Sequence, residues 1–522
     1  MNTKYFWLLI ILLGLTACNE IEDVLEDNNI DTTVVVLPSL TAGTADFSNY
    51  VSLGASFTSG FTDNALFKAS QINSFPNMLA QKFGMANGGD FTQPLMNDNF
   101  GGLAINGNRI TEPRLVFGGA GPVSLESVIG TVTVSTDIVL NNPSGPFNNM
   151  GVPGAKSFHL LSNSYGDLAG VGIYSNPYFV RMASSSSATV LGDSMTQNPT
   201  FFTLSEIGGN DVLGYALSGG SGVNQSGNLD PSTYGGNDIT DPNVFANVFN
   251  TLVTTLTSGG AKGIVTNVPN ITDLPHFTTV PHNPIPLDAG TAAFLNSLSA
   301  YGAYNAGIVQ AFAFMVANNL VTQEIADEQI AKRTIVFEEG ETNAVVIMDE
   351  DLIDLTFINP ALINIRQATA EDLLVLSSSS FIGTEAIPGN PQTVNGVAIP
   401  LADKWVLTPE EQMEISTATS AFNTTISSIA SSNANVALVD LNQILNDARA
   451  NGVVFDDYTL QTALVTGGLV SLDGVHLTAR GYAYMANKFL QAIDAEFGSN
   501  FEASGNLLKA GDFPTNYSPT LQ

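Results

Sequence analysis

Apolar and polar positions fall into alternating blocks along most of the chain. Tyr50 to Gly54 is a short apolar run of β character that stops at small residues, Gly54-Ala55-Ser56, which predicts a first strand ending in a tight turn. The stretch SFPNMLAQKFG, residues 74–84, puts Phe75, Leu79 and Phe83 on one helical face, with Ser74 as cap, Pro76 in the first turn and Gly84 at the end. Residues 85–150 are rich in Gly, Asn and Pro, and predict long loops with short β pieces. FFTLSEI, residues 201–207, predicts a second strand running into Gly208-Gly209-Asn210-Asp211, and the Gly/Ser/Asn-rich residues 218–240 predict an exposed excursion. Asp241-Pro242 opens a helix that buries Phe245, Val248, Phe249, Leu252, Val253 and Leu256 and closes at Gly259-Gly260; the strand GIVTNVP follows.

Toward the C-terminus, Thr408-Pro409-Glu410-Glu411 has the spacing of a capping box, Val436 to Leu441 reads as a strand, and Ala479 to about Phe497 as a last helix burying Tyr482, Met485, Phe489 and Ile493. Strands alternating with amphipathic helices predict an α/β fold, a parallel sheet with helices on its faces. Between about 324 and 401 the pattern changes to β-branched runs such as RTIVF and NAVVIMDED, broken by turns like Pro388-Gly389-Asn390, which predicts a β-rich insertion.

Composition changes this picture in three respects. At 522 residues the chain has room for two or three average domains, or for one α/β core with insertions. Hydrophobic residues make up 44% and charged residues 12%, the balance of a globular protein with a largely neutral polar surface. Sixteen Lys and Arg against 48 Asp and Glu give a net charge of -32, which repels phosphates and excludes nucleic acid as a partner.

The beginning, MNTKYFWLLIILLGLTACNE, carries Lys4, an apolar run from Tyr5 to Leu13, and Leu15-Thr16-Ala17-Cys18. Residues 1–17 therefore read as an export signal. Small residues before Cys18 resemble a bacterial lipobox, which implies cleavage at Cys18 and a lipid on its thiol. With one cysteine in the chain, no intrachain disulfide can form. The acidic stretch NEIEDVLEDNNID lies in residues 18–46, which read as a tether; it resembles the surface-export signal of Bacteroidetes lipoproteins and implies an outer-membrane, cell-surface location. No other run approaches the roughly 20 apolar residues of a membrane span.

The chemistry is concentrated in four short blocks. Ser56 stands at the corner after the first strand, where backbone N–H groups of a following helix would point back at the turn. Gly151-Val152-Pro153-Gly154 comes next, then Gly208-Gly209-Asn210-Asp211, and finally Asp473-Gly474-Val475-His476, whose spacing lets the carboxylate reach the imidazole and fix its tautomer. In this order the blocks resemble the GDSL, or SGNH, family of serine hydrolases. The resemblance runs from about Asn49 to the last helix. It implies a three-layer α/β/α sandwich, flavodoxin-like, over residues 47–500, with 501–522 as a C-terminal tail. It also implies Ser56, His476 and Asp473 as catalytic triad and Ser56, Gly154 and Asn210 as oxyanion donors. Two positions depart from the family pattern: Ala55 stands where the family has Asp, and Phe57 where it has Leu.

Other matches read differently in context. Gly192-Asp193-Ser194-Met195 fits the family name more literally, but it follows the GVPG block and leaves little room for a crossover helix before FFTLSEI. Gly235-Gly236-Asn237-Asp238 repeats the oxyanion motif inside the polar excursion, where a turn is expected. His159 is expected to pack or hydrogen-bond; His276 and His282 lie between prolines and are expected in loops near the site mouth. Asp349, Glu350, Asp351 and Asp354 lack calcium-loop spacing and read as a solvated face. The expected function is a lipid-anchored carboxylic ester hydrolase, an esterase or lipase with a carbohydrate deacetylase as a variant. The alternative is an inactive surface protein that binds glycan or lipid on the same scaffold. The partners implied are a small ester, lipid or acetylated-glycan substrate and, through Cys18, a membrane; no cofactor or metal is implied.

Overall fold

The computed structural model describes residues 36–521; the expected signal segment, Cys18 and the acidic run after it lie outside the described residues. Five strands form the central sheet: β1 (Tyr50–Gly54), β2 (Asn149–Gly151), β3 (Phe201–Ser205), β4 (Lys262–Thr266) and β5 (Val436–Val439). All pair in parallel in the order β5-β4-β3-β1-β2. The helices that frame the site and the insertion are α1 (Ser56–Ser59), α2 (Phe75–Gly84), α3 (Asn210–Leu217), α4 (Pro242–Thr257), α5 (Tyr301–Ala317), α6 (Gln323–Arg333), α7 (Pro409–Ser431), α8 (Leu441–Ala450) and α9 (Ala479–Phe497).

Alternate side chains of each strand enter opposite layers, because Cβ atoms alternate across a pleated strand. Val51, Leu53, Phe202, Leu204 and Val265 pack with the apolar faces of α4 and α7. Tyr50, Phe201, Ile264 and Val439 pack with those of α2, α8 and α9. The stripe expected on α4 is buried throughout, from Phe245 to Leu256, each large side chain contributing about 1.5–3 kcal/mol. The capping box at Thr408 and Glu411 is formed: the Thr408 N–H donates to the Glu411 carboxylate at 2.7 Å.

Several expectations are corrected. The strand expected through Leu441 stops at Val439, because Asp440 accepts from the Gln443 N–H and starts α8. Within the loop-rich residues 85–150, the stretch Asn149–Gly151 is an edge strand of the main sheet; three residues are too short a run to stand out as a strand in the sequence. The insertion expected at about 324–401 begins with α6, and RTIVF is not a strand. α6 packs on α5, and the hydrophobic core they share reaches back to Ile285, so this unit mixes helices with short two-stranded ribbons instead of being β-rich. At its centre Arg366 lies between Asp349 and Asp372, at 2.5 and 2.7 Å. Asp349 is fully buried there, not on a solvated face; Asp351 and Asp354 are exposed.

Both ends of the described chain lie on the body. Thr44 donates to the Phe497 carbonyl at 2.8 Å and Ala45 is buried, so the last residues of the expected tether dock on the end of α9. In the C-terminal segment Phe501 and Ala510 are buried, and Arg114 donates to the Ser518 carbonyl at 2.6 Å. Among the described residues no helix is long and apolar enough to cross a membrane.

Candidate functional site

Strand order determines where the four sequence blocks meet. The chain leaves β1 toward β2 on one side and the sheet continues through β3 on the other, so β1 and β3 flank a topological switch point, where a crevice opens beyond the carboxyl ends of the strands. In the pairing register Gly54 lies opposite both Gly151 and Ser205. Three strand ends are therefore level, and the residues just past them, Ser56, Gly154 and Asn210, emerge at one edge of the sheet.

The turn into Ser56 requires close backbone approach. A Cβ on Gly54 would fall 2.1 Å from Thr58 Oγ1 and 2.6 Å from the Ser205 carbonyl, so only glycine fits. Ala55, at the N-cap of α1, has no side chain to bind the free N–H groups of the first turn. Glu206 supplies that acceptor from the end of β3: its Oε1 accepts from the Ala55 N–H at 2.7 Å and the Thr58 N–H at 3.2 Å, and its Oε2 from the Thr58 hydroxyl at 3.1 Å. Burial pushes the Glu206 carboxyl up to about 7 against these hydrogen bonds. Asn149 closes the other end of α1 by donating to the Thr58 carbonyl at 2.9 Å.

The Asp473–His476 loop is wired mostly through its own backbone. Asp473 Oδ1 accepts from the Val475 and His476 N–H groups, both at 2.8 Å, and Oδ2 meets His476 Nδ1 at 2.9 Å. Burial pushes the Asp473 carboxyl up, but the His476 ring and the backbone donors outweigh it and hold the group well below the usual carboxylate range. A strap beyond α1 ties down this loop: Asn64 donates to Asp473 Oδ2 at 2.8 Å, Thr62 to the Leu477 carbonyl at 2.9 Å, and Leu472 to the Asp63 carboxylate at 3.1 Å. The His476 ring consequently rests on Phe57 and Phe61, centroids 5.9 and 4.7 Å away.

Donors surround the corner. Ser56 is 7% exposed, and among the described residues neither its hydroxyl nor its N–H is engaged in a hydrogen bond. The Gly154 N–H is likewise unengaged; Gly154 has φ +79° and open space where a Cβ would stand, the nearest atom being Asn176 Nδ2 at 3.9 Å. Asn210, the first residue of α3, donates through its amide to the Ala155 carbonyl at 3.0 Å, next to Gly154. Asp211 accepts from the Ser157 N–H and hydroxyl at 2.8 and 2.7 Å, which pins the loop carrying Gly154 to α3. The arrangement offers a hydroxyl, an imidazole oriented by a carboxylate, and backbone donors with no internal acceptor, a set suited to acyl transfer.

The remaining motif residues are engaged elsewhere. Ser194 is fully buried inside the helix Val190–Met195 with its hydroxyl on the Val190 carbonyl at 2.9 Å. Asp238 accepts from the Gly235 and Val223 N–H groups, as a turn requires. His159 stacks on Tyr165 at 4.4 Å, and burial lowers its ring to about 3. His276 is in the short helix Pro275–Thr278, not in the expected loop, because Pro275 opens a helical turn there; it lies against the Asp473 loop, with its backbone N–H on the Gly474 carbonyl at 3.0 Å and Nδ1 3.2 Å from the Asp473 carbonyl, and burial lowers its ring. The His282 carbonyl accepts from the Val345 N–H. Sequence reasoning missed Glu206, although a lone acidic residue at the end of the apolar run FFTLSEI was a visible signal. Comparison with family models, with curated proteins and with solved structures gives no match for this chain.

Proposed function

We propose that the protein is a serine hydrolase of the GDSL type that cleaves carboxylic esters, fastened to an outer membrane through a lipid on Cys18. The observations that support this reading are the Asp473–His476 pair, whose ring rests on Phe57, the neighbour of Ser56, although 417 residues separate Ser56 from Asp473, and the unengaged Ser56 and Gly154 N–H groups. In the proposed reaction His476 Nε2 takes the Ser56 proton as Oγ attacks the ester carbonyl carbon. The tetrahedral oxyanion accepts from the Ser56 and Gly154 N–H groups and from the Asn210 amide. Collapse breaks the bond to the leaving alkoxide, which takes the proton from His476 and leaves an acyl-serine. Water then repeats the sequence, with His476 as base, and releases the acid and Ser56.

A cleft of about 1780 Å³, lined largely by apolar side chains such as Ile285, Leu295, Tyr301 and Leu376, runs along the insertion. Neither Ser56 nor His476 lines it, but Leu376 packs against Gly474 of the Asp473 loop. This favours an ester with an apolar acyl or alcohol part over an acetylated glycan. The test is turnover of short and long nitrophenyl esters by the chain lacking residues 1–18, beside Ser56→Ala and Ser194→Ala. Ser56→Ala is expected to abolish turnover, by roughly 10⁴-fold or more, with the fold retained. Loss in Ser194→Ala alone would overturn the nucleophile, and a wild type inert on every ester, acetylated sugars included, would leave the binding protein as the better reading.

A further inference from the structure

Outside the candidate site, three carboxyl side chains gather without an ion-pair partner, Glu350 and Asp403 sharing a hydrogen bond. Glu350 lies in the turn after the insertion strand Val346–Met348, Asp403 in the short turn Asp403–Trp405, and Glu411 in the capping box that starts α7. One carboxylate oxygen from each lies within 4.8 Å of the others. Glu411 is 4% exposed; its Oε2 accepts from the Thr408 N–H and hydroxyl, whereas its Oε1 is buried with no hydrogen-bond partner. Among the described residues none of the three carboxylates is in an ion pair. The nearby ammonium groups are engaged: Lys332 binds Glu410 at 3.0 Å, and Lys404 lies over the Trp405 ring.

A buried carboxylate oxygen without a donor, in a group of three carboxyls that no Lys or Arg pairs, is costly unless a proton or a cation joins the group. We propose that Glu350, Asp403 and Glu411 bind a divalent cation, calcium in preference to magnesium, and that the ion fastens the insertion to the body. The spacing agrees with the ion: oxygens 2.3–2.6 Å from one calcium lie at most about 5 Å apart. The donors are all oxygen, which selects a hard cation over zinc or copper. Glu350 is exposed, so water can complete the six to eight ligands that calcium takes.

The place in the fold gives the ion its role. Asp403 and Glu350 belong to the insertion and its return, Glu411 to the body. The loop after α3 packs on both: a Cβ on Gly219 would fall 2.3 Å from the Asp403 carbonyl, and one on Gly220 1.7 Å from Glu411 Oε1. No room is left there for a side chain that would supply a donor, so the cluster is closed on the body side and open beside Glu350.

The experiment is calorimetric titration of calcium chloride into the chelator-treated protein, with thermal unfolding in calcium, magnesium and chelator. Expected are one bound calcium per chain and a rise in Tm with calcium concentration that exceeds the rise in magnesium. Glu350→Gln, at an exposed position that spares the fold, is expected to weaken calcium about tenfold or more, and Asp403→Asn with Glu411→Gln to abolish binding and the Tm rise. No calcium heat and no Tm rise in the wild type would overturn the site. Unchanged affinity in Glu350→Gln, or in the folded double variant, would move the ion elsewhere, and an equal response to magnesium would overturn the choice of ion.

Discussion

The two halves of the candidate site are held by opposite means. Asp473 orients His476 through hydrogen bonds that reach two and three residues along the chain, so that half carries most of its own support. The turn bearing Ser56 has an alanine where a capping side chain would stand and borrows its acceptor from Glu206, 151 residues away. The difference teaches that a strand-to-helix corner can hold its geometry without a local cap, provided an adjacent strand end delivers a carboxylate to the same N–H groups. It also means that the halves should fail differently.

On the hydrolase reading, the largest effect among these comparisons belongs to the self-supported half. Asp473→Asn should lower kcat by about 10⁴-fold by favouring the wrong imidazole tautomer, with the circular dichroism of the wild type. Between the halves, Asn210→Ala should cost about 10²–10³-fold in kcat with a small change in KM, since the amide is asked to act only as charge develops. A rise in KM alone would remove Asn210 from the oxyanion donors.

The borrowed half gives a smaller effect with a sharper control. Glu206→Ala should lower kcat by about 10²-fold through misplacement of Ser56, whereas Glu206→Gln, whose amide oxygen still accepts from Ala55 and Thr58, should retain most activity. Equal loss in both would show that the charge, not the acceptor geometry, is what Glu206 supplies.

The smallest effect is on stability. Glu206 holds its proton to about pH 7 when folded, against 4.5 for the ordinary group, so its contribution is full below pH 4.5 and is lost as pH rises through 7. The Tm difference between wild type and Glu206→Gln, followed from pH 4 to 8, should therefore drift against the wild type as pH rises. Asp63, also raised to about 7 by burial, is present in both proteins and cancels from that difference.

Much of the architecture was legible because it is local and periodic. The α4 stripe, the capping box of α7, the run into β1 and the Asp-Gly-Val-His spacing each depend on neighbours a few residues away, and each is formed. The helix α5 and the true start of the insertion were missed, because a helix apolar on several sides shows little amphipathic contrast. Strand β2 was missed because three residues carry almost no period of their own.

By itself, then, the sequence determined the alternation of strands and helices, the acidic surface and the residues able to do chemistry, since these follow from side-chain type and short-range spacing. Tertiary structure alone decided which of them meet. The level ends of β1, β2 and β3 bring Ser56, Gly154 and Asn210 to one edge, the strap at 62–64 brings in His476, and Glu206 and the Glu350–Asp403–Glu411 cluster acquire their surroundings from chain segments far away. The physical reason is that burial and hydrogen bonding act between neighbours in space. A carboxylate in the sequence looks the same whether it will face water, an arginine or two other carboxylates.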